Sequence, residues 1–456
     1  MMTDYRNKRI VVVGAGRSGI GLARYFNERG AHVTLSDRRP PEQLAGLEPL
    51  VALQVWLDLG GHTEALFGAA DLIALSPGVP LEIPAIAGAL AKGIPVLGEI
   101  EIAWRELPQP MAAITGTNGK STVTTVMGEV FRAWGKRTFV GGNLGTPLIE
   151  AVGTPWDWLV VELSSFQLET IEHFRPRWAV LLNITEDHLD RYPDMASYQA
   201  AKARLFENLD AGDWMVLNID DPRVMQAAAS SPAGCVPFSG SRPLQEGMSL
   251  QGDDLVWRWN GAETRFAANE LRIGGQHNLE NVMAALIPPL VEGCPPEVAW
   301  RAATAFAGLP HRMELVAEIG GVRWYDDSKG TNVGSVVKSL AGLKAPVTLI
   351  AGGKDKQGDL APLNALIAER VRELILIGEA APRMASAFAG LTSIRRAQSM
   401  DEAVQMAAQL TPAGGTVLLS PGCSSFDMFK SYEDRGRVFA AAVKALTGSG
   451  EGRHGA

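Results

Sequence analysis

Residues 112–124, AAITGTNGKSTVT, run a strand of small residues into a tight Gly/Asn turn, then a lysine and two hydroxyl residues entering a helix. Backbone N–H groups of Thr117–Lys120 turned toward an anion at a helix start meet it with unpaired donors and a favourable dipole. Gly116, Thr117, Asn118 and Gly119 would form the cradle, and Lys120 would reach the outer phosphates. Ser121, with Thr122 behind it, offers a hydroxyl of the kind that joins the Mg²⁺ shell around a triphosphate. The usual spacing G-x-x-x-x-G-K-[ST] is met only in part, because Ile114 stands where its first glycine is expected. Strand, turn, Lys-Ser-Thr and helix nevertheless follow in the order the chemistry requires, which a bare turn with a solvated lysine does not.

Gly14, Gly16 and Gly19 in VVVGAGRSGIG form a second nucleotide signal, with Asp37 further along and Arg38 and Arg39 just after it. By the dinucleotide fingerprint this predicts NAD with Asp37 on the ribose. A different phosphate-bearing ligand fits equally, since arginine forks suit phosphate oxygens, and both readings stay open on these residues alone. Further candidates gather at strand ends: Asn143 in GNLGTP, Glu162 in VVELSSFQLE, and Asp187, His188 and Asp190 in NITEDHLDRY. The set is hard and oxygen-rich, suiting Mg²⁺ better than zinc. Taken singly, His188 reads as a structural histidine and Glu162 as a buried carboxylate at a helix start.

Positioning these residues falls to alternating elements. Short β-branched runs at 9–13, 32–36, 71–75 and 94–97 predict a first parallel unit that ends near ELPQP, residues 106–110. MAAIT, RTFVG, WLVVE, WAVLLN and WMVLN predict a second unit, followed by a small antiparallel excursion around DDLVWRWNG. VRWYDD, VTLIAGG, ELILIG and TVLLSPG predict a third after a boundary at GLPHRM. The reading is an α/β chain of three domains, 1–107, 108–308 and 309–456. A length of 456 residues fits that number. Net charge −8 with no basic stripe argues against nucleic acid as a partner. Cys235, Cys294 and Cys423 are odd in number and far apart, so they read as free thiols of a cytoplasmic protein. No stretch looks like a signal peptide or a membrane span, and the final GSGEGRHGA reads as a frayed tail.

ITGTNGKST, GNLGTP, VVELSSFQLE, NITEDHLDRY, SYQAAKARLF, GGQHNLENVMAA, LPHRME, DDSKGTN, GGKDK and SPGCSSFDMFKSYEDRG occur in the order seen in the Mur ligases. The chain resembles that family over nearly its whole length, and most closely its glutamate-adding branch. The resemblance implies an N-terminal Rossmann-like parallel sheet for a UDP-linked substrate, a central P-loop-type ATPase domain and a C-terminal Rossmann-like domain for the amino acid, hinged near 308–310. It implies ATP-dependent amide formation between UDP-N-acetylmuramoyl-L-alanine and D-glutamate, through an acyl phosphate, by a monomer. The first glycine loop then becomes a UDP cradle, with Gly16, Ser18, Arg38, Arg39, Gly78 and Asn143 on the substrate.

Residue by residue, the same resemblance assigns ATP to Gly116–Thr122 with Asn278, Asn281, Arg312, Asp327 and Lys329. Two Mg²⁺ sites would draw on Ser121, Glu162, His188 and Lys202, the last as a carbamate, with Lys120, His188 and Lys202 in catalytic roles. An ammonium cannot ligate Mg²⁺, whereas a carbamate supplies carboxylate-like oxygens. Without the family, Lys202 reads as a surface helix lysine. Thr331, Lys356, Ser425, Phe426 and Tyr432 would hold glutamate. The chain lacks the DNPR-type motif of the diaminopimelate-adding relatives. Rival readings are an amino-acid ligase of the same class with another acceptor, a dehydrogenase fused to an ATPase-like domain, and an inactive precursor sensor.

Overall fold

In the computed structural model, residues 4–44, 46–189 and 191–448 are described; Asp190 and the tail from 449 lie outside them. The described strands form three sheets. The first has five parallel strands in the order Trp56–Leu59, His32–Asp37, Arg9–Val13, Leu72–Leu75, Val96–Gly98. Its middle strand RIVVV is buried after its first residue, the continuous apolar run of a strand covered on both faces. The edge strand Trp56–Leu59 escaped the sequence reading, because WLDL is short and mixes apolar with acidic residues.

The second sheet has nine strands. Met111–Thr115, third from one edge, is fully buried between Trp178–Leu181 and Trp158–Glu162. Pairing is parallel as far as Gly247–Gln251, and Asp254–Trp259 and Ala262–Ala267 then add the expected antiparallel excursion. The helix Lys120–Ala133 covers this sheet with Val123, Val126, Met127, Val130 and Phe131, a three-and-four spacing that turns one apolar stripe inward. Gly234–Ser239 was missed because Pro237 argues against an interior strand. The third sheet has six strands, parallel apart from the hairpin Glu314–Ile319 and Val322–Asp326, with apolar clusters on both faces.

By contacts the chain divides into two compact units. One runs to Asn183 and resumes over Gln199–Glu270 and Leu279–Ala305, holding the first two sheets. The other comprises Ile184–Tyr198, Leu271–Asn278 and the chain from Phe306, holding the third. Two buried glutamates of the helix Glu99–Arg105 bolt the first sheet to the second. Glu101 accepts backbone N–H bonds from Glu172, His173 and Phe174 at 2.9, 3.1 and 2.9 Å and is paired with Arg105 at 2.8 Å. Glu99 accepts from Ile149 N–H at 2.7 Å, while its other oxygen is buried with no hydrogen-bond partner among the described residues. Burial therefore pushes the Glu99 carboxyl up to about 7, against the weaker pull of the Ile149 and Leu148 amides.

A carboxyl whose folded pKa is raised binds its proton more tightly when folded, so its stabilising share is full at low pH and is lost as pH rises through the folded value. Replacing Glu99→Gln removes that loss. Relative to wild type, the variant should gain up to about 3 kcal/mol as pH rises from about 4 to about 8. Urea unfolding midpoints at both pH values measure this, and parallel pH dependence in the two proteins would contradict it.

Candidate functional site

At the carboxyl ends of the central strands, where parallel sheets bind ligands, the segment Gly116–Gly119 turns into the helix Lys120–Ala133. Gly119 has φ +90°, and a Cβ there would stand 2.2 Å from Asn281 Oδ1, so glycine is required twice over. Asn183 splints the loop: its carbonyl accepts from Thr117 N–H at 2.9 Å, its Oδ1 from Asn118 N–H at 2.8 Å, and its Nδ2 donates to Asn118 O at 3.0 Å. Sequence reading did not single out Asn183; its place directly after the strand WAVLL was the available signal. Lys120 Nζ donates to Gly116 O at 3.0 Å and Thr117 O at 2.9 Å.

Lys202 is 1 % exposed, contrary to the surface lysine its helix suggests, and its Nζ also donates to Gly116 O, at 3.0 Å. One carbonyl oxygen thus receives two ammonium groups. Glu162, at the end of its strand, is buried and accepts from Asn143 Nδ2 at 2.7 Å, while Asn143 N–H donates to Glu162 O at 2.8 Å. Ser121 and Thr122 are buried at the helix start, and Thr122 Oγ1 has no hydrogen-bond partner among the described residues. A carboxylate, an amide and hydroxyls at the carboxyl ends of neighbouring parallel strands are donors that suit a hard divalent cation and a phosphate. Asn143 therefore stands on the central sheet beside Glu162, and Asn281 faces the loop from its helix.

In the first sheet, Gly19 packs so closely that a Cβ would lie 1.8 Å from Gly14 O, and Ser76 Oγ donates to that same carbonyl at 2.9 Å. Asp37 is turned inward. Its oxygens accept from Ala15 N–H at 2.7 Å and Arg39 N–H at 2.9 Å, and from the Arg39 fork at 3.0 and 2.8 Å. Burial pushes this carboxyl up, but the Arg39 and backbone donors outweigh burial and hold it well below the usual range. A carboxylate so engaged by its own loop is not presented to a ribose, which removes the physical basis of the NAD reading. Gly16 is exposed at the helix start, Ser18 lies half-buried in the first turn, Arg38 is exposed, and Gly78 has φ +83°.

The other unit gathers a polar cluster around Asp187. Lys356 Nζ and Asn332 Nδ2 each donate to it at 3.0 Å, His188 N–H at 2.9 Å, and His188 Nε2 lies 3.6 Å away. Burial alone would raise the carboxyl; the charges of Lys356 and His188 and the donated bonds reverse that and hold it at about 2. Arg383 forks onto Asp355 at 2.6 and 2.8 Å beside this cluster.

A cleft of about 700 Å³ in the same unit is lined by His277, Asn278, Arg312, Tyr325 and Lys338. Burial, then Lys338 and Arg312, push His277 down to about 4, and Arg312 Nε is buried without an acceptor among the described residues, so the cleft favours anions. Asp327 is buried under Ser339 Oγ and Ser420 Oγ, both at 2.7 Å, and burial pushes it up to about 6. Lys329 Nζ donates to Tyr432 O–H at 3.2 Å. Ser425 is buried, Thr331 half-buried, and Phe426 is 70 % exposed.

The chain matches three family descriptions in order: "Mur ligase MurD-like, N-terminal domain" over residues 8–98, "Mur ligase middle domain" over 114–288 and "Mur ligase, glutamate ligase domain" over 311–423. It belongs to the Mur ligase family. It is similar to the UDP-N-acetylmuramoylalanine–D-glutamate ligase of Syntrophotalea carbinolica, 62 % identical across 98 % of this chain and 100 % of the relative. The enzyme of that name from Geotalea uraniireducens is 52 % identical over 98 % and 99 %. Among solved structures, the fold is shared with a pseudomurein peptide ligase type C of Methanothermus fervidus, at TM-score 0.63 and 19 % identity over 96 % of this chain and 100 % of that one. It is shared also with the UDP-N-acetylmuramate-alanine ligase of Thermotoga maritima, at TM-score 0.61 and 18 % identity over 97 % and 100 %.

Among the described residues, no helix is long and apolar enough to cross a membrane. Lys356→Met should release Asp187. Its carboxyl then titrates more than about one pH unit higher, because the largest opposing charge is gone while burial remains. Carbon-13 carboxyl titration of labelled aspartate reads this, and an unmoved Asp187 would refute the pairing.

Proposed function

We propose that this chain joins D-glutamate to UDP-N-acetylmuramoyl-L-alanine, splitting ATP to ADP and phosphate, in the cytoplasmic synthesis of peptidoglycan precursor. The observation that carries the reading is full-length identity of 62 % to a relative of that named activity, with the phosphate loop Gly116–Thr122 formed as the chemistry needs. A free carboxylate is a poor electrophile, because its charge is delocalised and its oxygen is a bad leaving group. Attack of the alanyl carboxylate on the γ-phosphate of ATP forms an acyl phosphate and expels ADP. Attack of the glutamate amine on the acyl carbon then expels phosphate and leaves the amide, with the amine proton lost to solvent.

Lys120 and the loop amides stabilise charge on the transferring group. Ser121, Glu162, His188 and Lys202 would hold Mg²⁺ at two sites, and the oxygen donors of Ser121 and Glu162 fit it; the ion would supply charge neutralisation at the phosphates. For Lys202, the second ammonium on Gly116 O favours conversion to a carbamate, in which CO₂ adds to the neutral amine with loss of one proton. Asn278, Asn281, Arg312, Asp327 and Lys329 bind ATP, a role supported by the anion-favouring cleft around Asn278 and Arg312. Gly16, Ser18, Arg38, Arg39, Gly78 and Asn143 serve the UDP-linked substrate. Thr331, Lys356, Ser425, Phe426 and Tyr432 serve glutamate. We place domain boundaries at 107/108 and 308/309, between the matched family spans, and assign a monomer.

Phosphate release with Mg²⁺ and ATP should require both the sugar nucleotide and D-glutamate, and should fall about a thousandfold or more in Lys120→Ala. Release with L-glutamate alone would keep the mechanism and overturn the product. A carbamate signal in carbon-13 spectra under labelled bicarbonate, lost in Lys202→Arg, tests the modification, and its absence in wild type would refute it.

A further inference from the structure

Arg435 is fully buried, and only two tryptophans are larger among the completely buried side chains described. It lies near the start of the helix Tyr432–Gly448, and each of its hydrogen bonds goes to a hydroxyl or carbonyl oxygen. Nε donates to Ser328 Oγ at 2.9 Å and Nη2 to Ser328 O at 2.7 Å. Nη1 reaches the carbonyls of Cys423 and Ser424 at 3.2 and 3.3 Å. Ser328 is itself fixed: its N–H donates to Asp326 Oδ1 and its Oγ to Tyr432 O, both at 2.8 Å. The guanidinium therefore clamps two segments from distant parts of the chain. One carries Asp327, Lys329 and Thr331; the other carries Ser425 and Phe426.

Burying a cation this deeply among neutral acceptors costs desolvation that an apolar residue of similar volume would not. A planar fork with five fixed donors can hold two backbone segments at a set angle, which a lysine, a point charge on a flexible stem, cannot. We propose that Arg435 is a positioning residue for the amino-acid half of the reaction, holding Ser425 and Tyr432 in register with Lys329. The inference rests on the ligase reading above. Arg435 is fully buried and ties Ser328, which lies between the ATP-assigned Asp327 and Lys329, to the Ser425 segment, so its loss should misplace the amino-acid residues most and disturb ATP capture less.

The test uses the full-length protein, with phosphate release followed against D-glutamate and ATP in turn. Arg435→Lys should raise KM for glutamate about tenfold or more, with KM for ATP and kcat at saturating glutamate within about threefold of wild type. Ser328→Ala, which deletes one acceptor and the tie to Tyr432, should shift KM for glutamate in the same direction by less. It carries the test if thermal melting shows that Arg435→Lys does not fold. Equal rises in both KM values, a fall in kcat alone, or unchanged kinetics in the folded variant would overturn the proposal. Wild-type protein without D-glutamate-dependent release would overturn the ligase reading itself, and the inference with it.

Discussion

A single carbonyl oxygen, that of Gly116, receives hydrogen bonds from two lysine ammonium groups, and the placing of both lysines depends on where that carbonyl is held. Like charges sharing one acceptor in a largely buried site repel, and anything anionic that arrives there is strongly favoured. The phosphate and the Lys202 carbamate proposed above would each supply such an anion. The surrounding structure serves to keep the carbonyl where it is. Gly119 leaves room for Asn281, Asn183 ties the loop by three hydrogen bonds, and the buried strand Met111–Thr115 sets its root.

Rigidity at that loop contrasts with how ionisable groups are held elsewhere. Glu99 and Asp327 are pushed up by burial, whereas Asp187 is held down by the cations and donors around it. The first pair favours neutral forms that tolerate burial. Asp187 remains a charge, paired with Lys356 at 3.0 Å.

Much of this was legible in the sequence, and the misses have physical causes. The strand, turn, Lys-Ser-Thr, helix order located the loop because its chemistry is local. Burial of Lys202 was not legible, since it depends on a contact with Gly116, 86 residues away, that no periodicity in AAKAR encodes. Asp37 illustrates the reverse error: the glycine fingerprint gives the carboxylate's position but not its direction, and here it folds back onto Ala15 and Arg39. Asn183 and Arg435 were passed over because each acts through backbone atoms brought near by the fold. Trp56–Leu59 and Gly234–Ser239 failed as strand predictions for lack of alternation and because of a proline.

In the proposed reaction the substrate carboxylate is activated by phosphoryl transfer before the amine attacks. Oxygen-18 in that carboxylate decides it most directly. If UDP-N-acetylmuramoyl-L-alanine carries the label on both carboxylate oxygens, an acyl phosphate delivers one labelled oxygen to each phosphate released with product. Mass spectrometry of the phosphate should find that label at every turnover; phosphate with only unlabelled oxygens would contradict the mechanism and show that ATP cleavage proceeds by another route.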